Sequence, residues 1–266
     1  MILLGSGETG SVYSIGKGRV VKLFHEDRYI EDEYKACKYM GDQTPFAPRI
    51  YELVEMEGKK GYEMQEIEGE LLLDLLDGSG DFEILAKLVG ESHRVIHDYD
   101  GSHLKLPNLK DVMFLHIDQL KHFNEVMKEW LRGLLEDLPS GHALLHGDFM
   151  PYNLIYSEGR LTALDWSDAM MGPAEADIAR SIYFILDPND YDDAVFTKKS
   201  NKFIEAYLNG YYGNRSTMGI IRRWLLINVV FQYDIMISKG IVNDFSDRLK
   251  TYIDKNFEKL GSDSLF

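Results

Sequence analysis

Up to about residue 70, apolar positions alternate with polar ones; beyond it they recur every three or four residues. Alternation marks half-buried strands, and the longer period marks helix faces. Met1 to Leu4 reads as the start of a first strand. Val12-Tyr13-Ser14-Ile15 reads as a second and Arg19-Val20-Val21-Lys22-Leu23-Phe24 as a third, with Gly16-Lys17-Gly18 as the hairpin between them. Arg49 to Val54 and Gly61 to Gly69 read as two more, the last running into a connector from Gln65 to Gly69. Asp27 to about Met40 is helical, because Ile30, Tyr34 and Cys37 share a face. Five strands and one helix make a small lobe.

From Leu71 onward the pattern is helical. Leu71 to Leu76 starts a short helix. Phe82 to His97 is a longer one, with Phe82, Leu85, Ala86, Val89, His93 and Ile96 on one stripe. Leu115 to Leu138 reads as one long helix or a bent pair, stopped at Pro139-Ser140-Gly141. Leu161 to Leu164 is a strand. A helix from Asp177 to Leu186, then Lys198 to Tyr212, Gly219 to Ser238 and Asn243 to Leu260, complete the chain, with an acidic loop from Asp187 to Asp193. His93 and His97 stand four apart, a metal-ligand spacing, but no matching Cys or Glu set follows; packed histidines are the better reading.

The chemistry sits in His146-Gly147-Asp148-Phe149-Met150-Pro151-Tyr152-Asn153, an H-G-D-x-x-x-x-N string, and in Asp165 at the end of an apolar run. Asp148 and Asn153 share a tight loop, and the following strand delivers Asp165. Magnesium prefers hard oxygen ligands, one or two carboxylates plus phosphate oxygens and water. An Asp free to accept a hydroxyl proton, with an Asn and a second Asp for metal, is the set used by kinase-type phosphoryl transfer. An Asp-rich loop that caps its own turn is the bland alternative for Asp148 alone.

Gly5, Gly7 and Gly10 form a G-x-G-x-x-G string followed by Val12. Dinucleotide folds use a similar string but need a helix directly after it, and here a strand follows. A P-loop is excluded because no G-K-[ST] follows the glycines. A glycine flap between antiparallel strands can close over a triphosphate. Lys22, between Val21 and Leu23, needs a partner if buried. Glu33 lies beside the apolar face of the first helix and is the expected partner, whereas Glu31 is turned toward solvent. An adenine ring in the cleft would meet the carbonyl of Gln65 and the amide of Ile67, with Met64 behind the base.

With 266 residues and 45% hydrophobic content, the chain can form two lobes around one cleft. No apolar run approaches the roughly 18 residues of a membrane helix. Met1 to Leu4 is too short for a signal peptide, and one cysteine, Cys37, cannot form an intrachain disulfide; a cytoplasmic, monomeric chain is expected. A net charge of −15 argues against nucleic acid and suits a cationic acceptor, although acidic surfaces also serve solubility.

With both glycine and aspartate strings in view, the chain from about Ile2 to Arg180 resembles the aminoglycoside phosphotransferase/choline kinase family. Ala163-Leu164-Asp165-Trp166 through Asp177-Ile178-Ala179-Arg180 resembles that family's segment after its metal aspartate. The resemblance implies an α+β, bilobal protein-kinase-like fold: a small N-terminal antiparallel sheet lobe with one helix (1–69, including the hinge) and a larger, mainly helical C-terminal lobe (70–266). It implies Asp148 as catalytic base, Asn153 and Asp165 as ligands of one or two Mg²⁺, and Lys22 and Glu33 as the phosphate-anchoring pair. His146 would be structural, and Asp177 would cap its helix and brace the catalytic loop. ATP is the expected donor, with GTP open, and the acceptor is a small-molecule hydroxyl on an aminoglycoside, amino alcohol or sugar-like metabolite. Asp187, Asp190 and Asp234 are the acceptor-binding candidates, with Trp224 or Tyr233 as an aromatic wall.

The chain departs from the pattern at Gly172-Pro173, where no Asp separates the two. Trp166-Ser167 stands where a protein kinase has Phe-Gly, and no Ala-Pro-Glu or activation segment follows. That favours a constitutively assembled small-molecule kinase over a minimal protein kinase. A nucleotide-binding pseudokinase scaffold is the rival from another class, and every motif residue needed for chemistry is present against it.

Overall fold

A computed structural model describes residues 1–78, 81–185, 194–213 and 218–263. An antiparallel five-stranded sheet occupies the N-terminal part. It comprises β1 (Ile2–Ser6), β2 (Gly10–Gly16), β3 (Arg19–Phe24), β4 (Ile50–Met56) and β5 (Lys59–Gln65), in the order β1-β2-β3-β5-β4. Helix α1 (Ile30–Gln43), entered through a 3-10 turn at Asp27–Tyr29, packs Ala36, Cys37 and Met40 into the core. β3 is the central strand and is buried from Val20 to Phe24. It therefore carries Lys22 into the interior, opposite Val12 on one side and Tyr62 on the other.

The chain then passes through β6 (Glu70–Leu71) into α2 (Leu72–Gly78) and α3 (Phe82–His97). Two helices, α4 (Leu109–Gln119) and α5 (Glu125–Asp137), stand where the apolar period extends from Leu115 to Leu138. The boundaries are set by polar side chains. Asn108 caps α4 by accepting from the Lys110 and Asp111 amides, and Asn124 caps α5 by accepting from Met127. Between them Asp234 Oδ1 accepts from the Lys121 and His122 amides at 2.9 and 2.8 Å, which holds the chain out of helix.

Two short sheets carry the H-G-D-x-x-x-x-N string. β7 (Ala143–Leu145) pairs with β10 (Met170–Gly172), and the hairpin β8 (Leu154–Ser157) and β9 (Arg160–Ala163) is extended by β6. The helices α6 (Ala174–Ile185), α7 (Ala194–Tyr212), α8 (Met218–Ser238) and α9 (Asp244–Asp263) follow. The helix expected to open at Asp177 starts three residues earlier, directly after Pro173. α3 and α7 cross closely, because a Cβ on Gly90 would stand 1.9 Å from the Tyr207 carbonyl and one on Gly210 2.1 Å from that of Lys87. That approach sets Tyr207 and Tyr211 against His93 and His97. The hairpin is tied to the chain after α1 by Ala163 N donating to Phe46 O (2.8 Å) and by Thr162 donating to Pro45 O (3.0 Å). Among the described residues no helix is long and apolar enough to cross a membrane.

Candidate active site

A cleft of about 550 Å³ opens between the sheet and the hairpin. Gly5, Gly7 and Gly10 line its roof, Lys22 and Glu33 its back, and Met64, Gln65 and Ile67 its hinge side. Tyr152, Asn153 and Asp165 line its floor. Eleven of the sequence candidates thus converge there or beside it, once Asp148 on the same loop is included.

Lys22 Nζ stands 2.6 Å from Glu33 Oε1 and 3.1 Å from Asp165 Oδ1. Tyr62 donates to the same Glu33 oxygen at 2.6 Å, while Glu33 Oε2 is buried without a partner among the described residues. Burial alone would lower the Lys22 ammonium, but the charges of Glu33 and Asp165 outweigh it and hold the group charged above its ordinary value. Burial pushes the Asp165 carboxyl up. The Lys22 charge, with hydrogen bonds from Ser167 and Lys22, reverses that and holds it below the usual range.

Asp165 has φ +56, a left-handed conformation that a non-glycine residue keeps only when its surroundings impose it. Those surroundings are visible. Leu164 N donates to Asn153 O at 2.8 Å. His146 accepts from the Asp148 amide through Nδ1 (3.2 Å), so its Nε2 carries the proton and donates to Leu164 O (3.1 Å). Burial holds His146 below its ordinary pKa, in keeping with one proton on the ring. Trp166 is fully buried, donates from its indole to Ala163 O, and lies 4.6 Å from the His146 ring. The histidine thus couples the loop from His146 to Asn153 to the strand end that carries Asp165.

Both oxygens of Asp148 are engaged. Tyr152 donates to Oδ1 at 2.7 Å and Asn153 Nδ2 to Oδ2 at 2.8 Å. A carboxylate only accepts, so the nitrogen end of the Asn153 amide must face Asp148 and its oxygen end is the one available to a cation. Burial raises the Asp148 carboxyl, opposed by the Tyr152 hydrogen bond.

Asp177 lies inside α6 and does not cap it. Its buried carboxylate accepts from the amides of His146 (2.7 Å) and Gly147 (3.0 Å) and from Nε2 of His93 (3.1 Å) and His97 (3.2 Å). Burial would push this carboxyl up, but the two histidines outweigh it and hold it well below the usual range. Tyr207 and Tyr211 hydroxyls sit 2.7 and 2.8 Å from the other ring nitrogens. Burial and His97 press His93 down to about 3, so its ring is neutral. The His93, His97 and Asp177 ligand atoms lie within 4.8 Å of one another, but each is already matched donor to acceptor. Gly147 has φ +81, and a Cβ there would stand 2.3 Å from the Asp168 carbonyl.

The acceptor candidates fare differently. Asp187 and Asp190 lie outside the described residues. Asp234 is 8% exposed and braces the loop between α4 and α5, so its carboxylate is engaged by backbone and lines neither cavity at the catalytic loop. Trp224 does line the second of these cavities, and Tyr233 instead meets Phe123 edge-on. Pattern reading missed the Tyr152 contact, which lay inside the string itself. It also missed Tyr207 and Tyr211, which carry no local signal, and an ion pair from Arg180 to Asp168 at 2.5 Å.

A five-stranded sheet over a helical body, with an acidic loop facing a buried lysine, is a kinase-like architecture. The model of the phosphotransferase enzyme family (APH) matches residues 2–221, and the chain belongs to that family. Solved structures with the same fold include amicoumacin kinase hAmiN in complex with AMP-PNP, Ca²⁺ and Ami (TM-score 0.69, 16% identity, covering 96% of this chain and 87% of that one). A thermostable mutant of aminoglycoside phosphotransferase APH(4)-Ia is also similar (0.62, 19%, 96% and 92%). So is a choline/ethanolamine kinase family protein from Mesorhizobium loti (0.63, 16%, 98% and 87%). No curated protein matches the chain in sequence.

Proposed function

We propose that this chain is an ATP-dependent kinase that moves the γ-phosphoryl group to a hydroxyl of a small molecule. The observation that carries this reading is the convergence of Lys22, Glu33 and Asp165 within hydrogen-bonding range, with Asp148 and Asn153 on the facing loop. The names of the structural relatives, kinases of amicoumacin, aminoglycosides and choline or ethanolamine, support a small-molecule acceptor.

Lys22, fixed by Glu33, would hold the α/β-phosphates, and the flap of Gly5, Gly7 and Gly10 would cover them with backbone amides. Met64, Gln65 and Ile67 would receive the base. Asn153 Oδ1 and the Asp165 carboxylate are hard oxygen donors facing one cleft, and they fit Mg²⁺. When bound, the ion would neutralise charge on the phosphoryl oxygens. Asp148 would orient the acceptor hydroxyl and take its proton. Asn153 holds that carboxylate in place, and Asp177 and His146 hold the loop beneath it as positioning residues. The division into lobes falls at the connector ending at Gly69.

The test is Mg²⁺-dependent ADP release with a panel of hydroxyl compounds, run for the wild type and Asp148→Ala together. Acceptor-stimulated release that is lost in the variant supports the reading. Release unaffected by the substitution removes Asp148 from the mechanism, and absence of stimulation by any acceptor moves the reading to a nucleotide-binding scaffold.

A further inference from the structure

Asp148 has two carboxylate oxygens, and its own loop supplies a donor to each. Pro151 opens a 3-10 turn over Pro151–Asn153, and the Asn153 amide closes on Met150 O at 2.8 Å. Proline fixes its own backbone torsion, so the turn is preset. It folds two neighbouring side chains back over Asp148. Asn153 Nδ2 donates to Oδ2 at 2.8 Å and to the Asp148 carbonyl at 3.0 Å. Tyr152 donates from its hydroxyl to Oδ1 at 2.7 Å.

The two contacts differ in chemistry. The Asn153 nitrogen is a donor only, whereas a phenol that donates its proton keeps oxygen lone pairs to offer elsewhere. A hydroxyl within about 2.6–3.2 Å of a base is in range to lose its proton to it. Tyr152 lines the same cleft as Asn153 and Asp165, beneath Gly5, Gly7 and Gly10. The other hydroxyls lining that cleft are placed elsewhere. Tyr62 donates to Glu33 at the back, and Ser6, which pairs with Ser11, belongs with Thr9 to the roof. Among the described residues Tyr152 alone brings a hydroxyl to Asp148.

We propose that Tyr152 is a self-modification site: with Mg²⁺ and a nucleoside triphosphate bound and no small-molecule acceptor present, the γ-phosphoryl group passes to Tyr152 Oη of the same chain. The bond from Oη to the γ-phosphorus forms. The bridging bond to the β-phosphate breaks, and its electron pair leaves on the nucleoside diphosphate. The Tyr152 proton goes to Asp148 Oδ1. Because the loop already holds the hydroxyl on the carboxylate, the step needs no encounter with a second molecule. The product places a charge of about −1.5 to −2 beside Asp148. Like charges then keep other hydroxyls from that carboxylate, so the reaction stops after one transfer per chain. The inference rests on the phosphotransferase reading above and gives the same site a second acceptor, built into the chain.

The test is incubation of the full chain with Mg²⁺ and γ-labelled ATP without any acceptor, read by intact mass and peptide mapping. Label is expected on Tyr152, at no more than one phosphoryl group per chain, with a rate per chain independent of protein concentration. Tyr152→Phe, at a position 43% exposed, keeps the ring and should abolish the label. Asp148→Asn should slow labelling of Tyr152 by roughly a hundredfold or more. The inference is overturned if the wild type takes up no label, if the label maps to another residue or survives in Tyr152→Phe, or if Asp148→Asn labels as fast as the wild type. A rate that rises with protein concentration also overturns it, because the transfer would then run between chains. AMP-PNP binding to the wild type is measured first, with and without Mg²⁺. Absence of Mg²⁺-dependent binding overturns the phosphotransferase reading, whereas binding without label on Tyr152 overturns this inference alone.

Discussion

The phenolic hydroxyl of Tyr152 donates to Asp148 Oδ1 at 2.7 Å, so the carboxylate that would receive an acceptor proton is already occupied by its own loop. Asn153 holds the other oxygen. An acceptor hydroxyl must therefore share or displace the tyrosine, which is 43% exposed at the cleft and has room to move.

Tyr152→Phe removes that competitor. A lost hydrogen bond of about 0.5–1.5 kcal/mol should lower the acceptor KM by roughly two- to twelvefold. The bond also favours the charged carboxylate, so its loss raises the Asp148 pKa further. The acid limb of the kcat/KM profile should then move to higher pH. A limb unmoved in Tyr152→Phe would separate Asp148 from that ionisation.

Asp165→Ala should reduce Mg²⁺-dependent ATP affinity by at least roughly tenfold, about 1.4 kcal/mol, because it deletes a carboxylate from the expected ion site. Binding without Mg²⁺ should change little, since the Lys22–Glu33 pair stays intact at 2.6 Å. Titrations with and without the ion compare the two. Equal Mg²⁺ dependence in wild type and variant rejects the assignment.

Folding stability should decline with acid through His93. In the folded chain its pKa is held at about 3, whereas unfolded it titrates near about 6.5. Between those values the unfolded state binds the extra proton, so stability is lost as pH falls through that window, at up to roughly 1.4 kcal/mol per unit. Asp177 adds to this only at lower pH. Its depressed folded value means its contribution is full above the usual carboxylate range and disappears as pH falls below it. Urea midpoints between pH 7 and 4 should fall in wild type and flatten in His93→Gln; a flat wild-type series contradicts this.

Gly147→Ala places a methyl 2.3 Å from the Asp168 carbonyl at φ +81. The strain should cost roughly 1–3 kcal/mol and displace the two amides that Asp177 holds. We expect a lower melting temperature and a kcat reduced more than nucleotide affinity. A variant with wild-type melting and turnover would show that the loop tolerates the shift.

The strands and most helices were legible because their signals are local. β3 reads as a strand from Arg19 to Phe24 in both sequence and structure, and α3 runs from Phe82 to His97 as its stripe requires. The H-G-D-x-x-x-x-N string and Asp165 were legible because one loop and one strand bring them together. Between one long helix and a bent pair the pattern did not choose, since the break between α4 and α5 depends on Asp234, more than a hundred residues away in sequence.

The sequence by itself determined the fold class, the family and which residues line the cleft, because periodicity and short-range spacing suffice for each. Tertiary structure decided the partners. Lys22 faces Glu33 and Asp165 because β3 is central and α1 packs on it. Asp177 turns inward because close packing at Gly90 and Gly210 brings α3 and α7 together and sets a buried histidine pair beneath the loop. Asp234 became a brace, and Trp224 and Arg180 became a cavity wall, because burial leaves each polar group only the partners that packing supplies.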